Sequence, residues 1–488
     1  MTSTSRNIDR WRAFALLAVS YFMTIIDLTI VNVSLPTIGR DLHFSEASLQ
    51  WVVTAYAITF GGFLLLGGRA ADLLGRRRVL MLGLALFTAA SLACGLATSE
   101  AFLIGSRAVQ GLGAASMVPA AMSIVMNMFE EGAERNQALG IWGGLAAAGA
   151  TVGLIGGGLL TRYAGWQYIF YLNIPIGAAA LALAPRLVPD SRAATTHRRF
   201  DALGAIAGTG GLVLLVEAIA GATQYGWGAT RTIALLAGSV VLLVTFAMIE
   251  RRAQEPLLPL SMFGLRTLAA ANVAAVLSSA SFFGFIFVGT LYMQQVLHYS
   301  ALETGVAWLA ASLSSIALAG VSQKLVTRRG ATVVMTIGMT LIAAGVIWAS
   351  QEPVHGHFLA NLAGPMVIAG AGTAFAFIPI SIAALAGVAE HQAGVASGLM
   401  NTSRQLGGAI GIAIASSVAA GHADTLVHPG TALPAALTTG FQQALWVLGA
   451  IALLALPAIF ALVRGDQVSG TVANTAVREA QPAAASTT

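Results

Sequence analysis

Fourteen stretches of this chain, each about 20 residues long and nearly free of charge, are long enough to cross a bilayer as helices. They begin near Ala13, Trp51, Val79, Ala101, Gln137, Tyr168, Ala202, Thr232, Leu268, Gly305, Ala331, Phe358, Ala396 and Phe441. In hydrocarbon every backbone N–H and C=O must be satisfied internally, so such stretches fold as helices that pack on one another. Composition agrees: 57% of the 488 residues are hydrophobic and 9% are charged, against about 25% charged in soluble domains. A large soluble core is excluded, and the expected fold class is an all-α polytopic membrane protein.

The position of each charge decides its meaning. A pI near 9.7 would suggest nucleic acid in a soluble protein. With the N-terminus in the cytoplasm, however, roughly 20 of the 25 Lys and Arg residues fall in alternate loops on that side, as the positive-inside rule requires. Arg40, Arg162 and Arg231 fall on the opposite side, and Arg107 and Arg404 lie within spans. The excess charge is topological, no nucleic-acid partner is implied, and both termini are expected in the cytoplasm. Three arginines between Met1 and Arg12 precede an apolar stretch too long for a removable signal peptide, so the first span is expected to stay as an anchor. A lone cysteine, Cys94, excludes an internal disulfide and a thiolate metal cluster. His355 and His357 read as a solvated loop pair, so no metal is expected.

Internal repeats point to the architecture. Gln110, Gly111, Leu112 and Gly113, followed by Pro119, resemble Ala369, Gly370, Ala371 and Gly372, followed by Pro379. The approach to the fifth span, Glu134 to Gly140, is echoed by Glu390 to Ala393 and Ala396 to Gly398. Both matches pair spans eight apart. A directly repeated six-span unit would pair spans six apart, so two extra spans are inserted between the halves. The expected organisation is a cytoplasmic N-terminus (1–12), a six-helix bundle (13–186), a basic cytoplasmic linker (187–200), two inserted helices (201–250), a second six-helix bundle (251–464) and a disordered cytoplasmic tail (465–488).

Asp27 carries the functional argument. An ionised acid deep in an apolar stretch costs several kcal/mol unless it is paired or protonated, which marks it as a candidate site. Ser20, Thr24, Asp27, Val31 and Ser34 share one helical face, read either as a cavity lining or as a packing seam. At 1.5 Å per residue, Asp27 and Arg107 lie about 12 and 10 Å below the same ends of their spans, so they can be level. Arg107 can then tune or release the acid; the alternative is snorkelling to the surface. Gly68, Asp72, Gly75, Arg76 and Arg77 lie in a short loop able to latch two helices in one state, or serve only topology. Gly149, Gly153, Gly157 and Gly158 permit close helix approach or bending. Glu217 reads equally as a second proton or cation site in the cavity and as a residue reaching the outer interface beside Gln224, Tyr225 and Trp227.

Enzyme motifs are weak. Gly111 and Gly113 lack the third glycine of a dinucleotide loop, and no phosphate-binding GxxxxGK[ST] pattern occurs, so ATP is not the expected energy source. A passive channel would need a continuous polar pore, and a receptor a sizeable soluble domain; neither is visible.

Together these segments resemble the major facilitator superfamily, specifically its 14-span drug:proton antiporters (EmrB/QacA-like). The resemblance rests on Asp27 to Val33, Leu49 to Trp51 with Tyr56, Gly68 to Arg78, Arg107 to Gly113, Gly149 to Gly158, Trp166 to Pro175, and Phe200 with Asp201. It implies alternating access between two bundles in a bacterial inner membrane, driven by the proton motive force with no cofactor. It further implies that Asp27 and Arg107 couple protons, that Thr24, Asp27, Val31 and Glu217 line a substrate cavity, and that the chain works as a monomer. Leu154 stands where the antiporter glycine motif carries proline. The tenth span, Gly305 to Gln323, has no acid, so neutral or monocationic lipophilic substrates are expected over dications. The expected function is proton-driven export of drugs or antibiotics; a dedicated exporter of one metabolite, lipid or siderophore would carry the same motifs.

Overall fold

The computed structural model describes residues 3–129, 133–189, 202–253, 264–386, 393–427 and 432–462, with single positions at 256, 262 and 388. Most of the expected linker and the whole expected tail lie outside the described residues. Among those described, every regular element is helical. The first part of the chain forms α1 (Ser3–Asp41), α2 (Glu46–Leu49), α3 (Trp51–Leu74), α4 (Arg76–Gly95), α5 (Glu100–Met128), α6 (Ala133–Tyr163), α7 (Tyr168–Tyr171) and α8 (Asn173–Leu187). Next come α9 (Ala202–Tyr225) and α10 (Thr230–Arg252). Then follow α11 (Arg266–Leu291), α12 (Ala301–Ala307), α13 (Leu309–Arg329), α14 (Ala331–Ala349), α15 (Ala363–Leu385), α16 (Ala393–Val427) and α17 (Leu433–Leu462). Eleven helical segments are long and apolar enough to cross a membrane; α3 and α9 hold shorter apolar stretches, Trp51–Leu64 and Ile206–Ile219.

Local chemistry sets the breaks. Ser99 caps α5 by accepting from the Phe102 N–H at 3.4 Å, and Ser300 with Glu303 forms a reciprocal capping box on α12. Gly75, at φ +105°, turns α3 into α4, and Gly330, at φ +82°, turns α13 into α14. Both positions need the left-handed region that glycine enters without a Cβ penalty.

The repeat seen in sequence recurs as packing. A Cβ on Gly111 would fall 2.6 Å from the Tyr56 carbonyl of α3, and one on Gly113 2.6 Å from the Phe87 N of α4. Correspondingly, Gly370 lies against the Ala311 carbonyl of α13 and Gly372 against Ile342 N of α14, at 2.2 and 2.6 Å. The α6 glycines Gly149 and Gly153 face Ile25 and Thr29 of α1, while Gly407 and Gly411 of α16 face Val276 and Ala280 of α11. Close contacts of this kind let backbones approach and replace the hydrophobic drive that lipid removes.

Helix α9 contacts both α3 and α16. Thr209 packs on Gly62 of α3, and Ser417 Oγ of α16 donates to the Ile219 carbonyl at 2.8 Å. Further contacts lie toward the chain end of α1: Gln294 Nε2 donates to the Val33 carbonyl at 2.7 Å. There, Gly158 of α6 lies against the Ala301 carbonyl, and Gly305 of α12 against the Leu154 carbonyl, with Cβ distances of 2.7 and 2.4 Å. Leu154, in place of the motif proline, thus sits at a junction where its carbonyl touches the facing helix.

Candidate functional site

Four helices and one helix start converge on Asp27. Arg107 Nη1 of α5 donates to Asp27 Oδ2 at 2.6 Å. Gln110 Nε2, three residues further along the same face of α5, donates to Asp27 Oδ1 at 2.8 Å. Asn173 Nδ2, the first residue of α8, donates to the same oxygen at 2.9 Å. All of these side chains are buried, with Asp27, Arg107 and Gln110 fully so. Three donors around one carboxylate match its ionised form.

A second set of groups holds the donors. Arg107 Nε donates to the Val52 carbonyl of α3 at 2.8 Å, and its Nη1 also reaches Gln110 Oε1 at 2.6 Å. The guanidinium lies 4.4 Å over the Tyr56 ring and 5.7 Å over that of Phe170, contacts that favour a desolvated cation. Ser91 Oγ of α4 accepts from Gln110 at 2.8 Å and from Asn173 at 3.4 Å, while donating to the Phe87 carbonyl at 2.8 Å. Cys94 Sγ donates to Gln110 Oε1 at 3.7 Å. Arg107 Nη2 and the Tyr56 hydroxyl are buried without a hydrogen-bond partner. All three side-chain contacts to Asp27 are donated to its oxygens, two to Oδ1 and one to Oδ2.

The structure therefore brings Asp27 and Arg107 together. It adds Gln110, Asn173, Ser91 and Tyr56, which sequence reading had not assigned a role. Gln110 had a signal, because the third residue after Arg107 shares its helical face; Asn173 and Ser91 had none.

The face expected to line a cavity is sealed here. Ser20, Thr24, Asp27, Val31 and Ser34 are at most 2% exposed. Ser20 Oγ and Thr24 Oγ1 donate back to the Leu16 and Tyr21 carbonyls of their own helix, Ser34 bonds Thr161 of α6 at 2.7 Å, and Val31 packs in the apolar core. Glu217 departs from the cavity reading altogether. It accepts from Arg231 Nη2 of α10 at 2.7 Å, at the partly exposed end of the inserted hairpin, because a nearby cation satisfies it more cheaply than burial beside Asp27.

In the loop expected as a latch, Arg77 Nη1 of α4 reaches the Pro185 and Val188 carbonyls at the end of α8, both at 3.3 Å, and Arg76 is half-buried. The Asp72 side chain lies outside the described residues. Gly68 has room for a Cβ, with Pro119 at 3.6 Å, whereas Gly67 lies against the Ala115 carbonyl at 2.0 Å. Gly67 is the sterically required glycine. Of the four α6 glycines, Gly149, Gly153 and Gly157 space α6 from α1 and Gly158 spaces it from α12, within a helix that runs unbroken from Ala133 to Tyr163.

A further buried acid stands outside the spans. Glu352, in the loop after α14, is 4% exposed. Burial pushes its carboxyl well above the ordinary range. Gln442 Nε2 of α17 donates to its backbone carbonyl at 2.8 Å, and the Tyr292 hydroxyl donates to that of Pro353 at 2.5 Å.

The Major Facilitator Superfamily profile matches residues 17–412. The chain is 37% identical over 463 residues to the puromycin resistance protein Pur8 of Streptomyces alboniger, covering 94% of this chain and 92% of that one. It is 38% identical to the cephamycin export protein CmcT of Amycolatopsis lactamdurans (85% and 86% covered). It is 35% identical to the tetracenomycin C resistance and export protein of Streptomyces glaucescens (83% and 75% covered). Among solved structures, a bacterial homologue of the lysosomal transporter Spinster, in an inward-facing and unoccupied conformation, shares the fold with a TM-score of 0.67 at 16% identity, covering 93% of this chain and 97% of that one. With a caged acid in an apolar helix, eleven helices among the described residues long and apolar enough to span a membrane, and a family match over most of its length, the chain belongs to the Major Facilitator Superfamily as a multi-pass bacterial membrane protein.

Proposed function

We propose that the protein is a fourteen-span, proton-driven antiporter that exports lipophilic antibiotic-like molecules from the cytoplasm or inner leaflet. Two six-helix bundles alternate about a central site, α9 and α10 are the inserted pair, both termini are cytoplasmic, and the working unit is a monomer. The observation that carries this reading is the Asp27 cage, where one carboxylate cross-links α1, α5 and α8 and is ion-paired to Arg107. A proton arriving at Asp27 removes the charge that holds Arg107, loosens those cross-links and biases the bundle toward its other conformation. Contacts between the bundles near Val33, Leu154 and Gly158 fit a state closed on the outer side. The names of the similar exporters support the substrate class.

The test uses efflux-deficient cells expressing the chain and challenged with puromycin, a cephamycin and tetracenomycin C. Protection against at least one is expected, with loss of that protection on adding a protonophore and in Asp27→Asn at equal expression. Protection that survives the protonophore would sink proton coupling.

A further inference from the structure

Arg404 carries a positive charge into the interior of α16, eleven residues and so about 16 Å along the axis from the first helical residue. Its guanidinium lies 4.1 Å over the Phe377 ring of α15. Among the described residues no carboxylate or carbonyl receives any of its N–H groups. Arg107 shows the contrast, since its charge is neutralised by Asp27 at 2.6 Å and completely enclosed, whereas Arg404 is only half-buried. An intramembrane cation without a counter-ion is expensive and by default marks a functional site.

The surroundings are aromatic and come from both bundles. Tyr21 of α1 lies within electrostatic reach of Arg404. Tyr21 stacks on Trp142 of α6, with ring centroids 4.3 Å apart and planes 12° from parallel. Phe377 and Tyr21 are themselves half-buried. Acids are otherwise engaged: both Asp27 oxygens are taken, Glu217 is paired with Arg231, and Glu303 caps α12. Among the described residues, none of these acids is bonded to Arg404.

We propose that Arg404 is a substrate-anchoring residue for a planar aromatic molecule bearing a carboxylate or comparable anionic oxygen, held by the guanidinium and packed against Tyr21. A planar fork of donors suits a carboxylate better than any other group of this size. The proposal rests on the export reading for what happens to the bound molecule. It revises the expectation of neutral or monocationic substrates, because a cation entering this space meets a like charge.

Three probes with one fluorophore test it: 1-pyrenebutyrate, its methyl ester, and 1-pyrenebutyl-trimethylammonium, titrated against the purified full chain in nanodiscs. The carboxylate should bind at least tenfold more tightly than the ester, and the cation most weakly. Arg404→Gln should abolish that preference, and Arg404→Lys should retain part of it. Ester binding equal to carboxylate binding in the wild type, or no binding of the carboxylate, overturns the proposal without reliance on a variant that must fold. Uptake of bound 1-pyrenebutyrate into everted vesicles, with and without a proton gradient, separates the two readings. Arg404-dependent binding without gradient-driven uptake leaves the site standing and defeats proton-driven export.

Discussion

The two bundles share one glycine frame and differ in the charges mounted on it. Gly149 and Gly153 lie against Ile25 and Thr29 as Gly407 and Gly411 lie against Val276 and Ala280. On that register Asp27 corresponds to Ser278, which bonds its own helix at the Ala275 carbonyl. Aligning Gly111 with Gly370 places the buried Met366 opposite Arg107 and Ala369 opposite Gln110. Aligning Gly149 with Gly407 places Arg404 opposite Ala146. The first bundle thus buries an acid with its cation, and the second presents a cation, Arg404, to which no acid among the described residues is bonded. Helix packing and charge are separable layers of this fold, because backbone contact at glycine depends only on the absence of a side chain.

The strongest way to break this comparison is to write the second bundle's residues into the first. Asp27→Ser or Arg107→Met alone should abolish transport and destabilise by about 3–5 kcal/mol, since each leaves a buried group stranded. The double variant should recover stability to within about 1 kcal/mol of wild type, while transport stays lost. Thermal unfolding of the purified proteins decides it: a double no more stable than the singles would show that frame and charge are not separable.

Next in size is the frame itself. Gly411→Ala would set its Cβ 2.0 Å from the Ala280 carbonyl, a backbone atom that cannot step aside, whereas the nearest atom to Gly153 is the Thr29 hydroxyl at 2.1 Å. Overpacking costs typically about 1–3 kcal/mol, so Gly411→Ala should fall at the top of that range and Gly153→Ala lower. Equal losses in denaturant unfolding would argue against this asymmetry.

A smaller effect sharpens the contrast between the buried acids Asp27 and Glu352. Glu352 is buried, so its folded-state carboxyl titrates well above the unfolded value near 4.5. The folded chain then holds a proton that the unfolded chain has released. Stability should be fullest below about pH 4.5 and decline as pH rises toward the folded pKa. Glu352→Gln should flatten that decline in a series of melting curves, and an unchanged slope would remove Glu352 as its source.

The least effect is expected at Glu217→Gln. The pair with Arg231 is 32% and 50% exposed, and exposed pairs contribute about 0–1 kcal/mol. Stability should move by no more than about 0.5 kcal/mol, and transport in the protection assay should not change.

Much of the frame was legible along the chain. The Gly111 and Gly370 segments were readable as equivalents from spacing, and both make the same contacts with their neighbours. Asp27 and Arg107 could be placed at one depth from helical rise. Gly67 and Gly68 show the limit of such reading. Adjacent residues on a helix point about 100° apart, so only the position of α5 reveals that Gly67 is the one in contact. Glu217 stayed open between two readings for a related reason, because its partner Arg231 comes from the next helix across a turn whose geometry sequence does not specify; the pair lies at the partly exposed end, as the interface reading expected.

What the sequence determined by itself was set by solvent: in a bilayer, apolar runs must be helices, and an acid among them must be compensated. The identity of the compensators was decided by assembly. Asn173 reaches Asp27 from 146 residues away and Ser91 joins them from a third helix, an arrangement that exists only once helix rotation and depth are fixed by packing. Arg404 shows the same division. Its presence within a span is written in the chain, but that it lies over Phe377 of α15 and within electrostatic reach of Tyr21 of α1 is decided by how the helices pack.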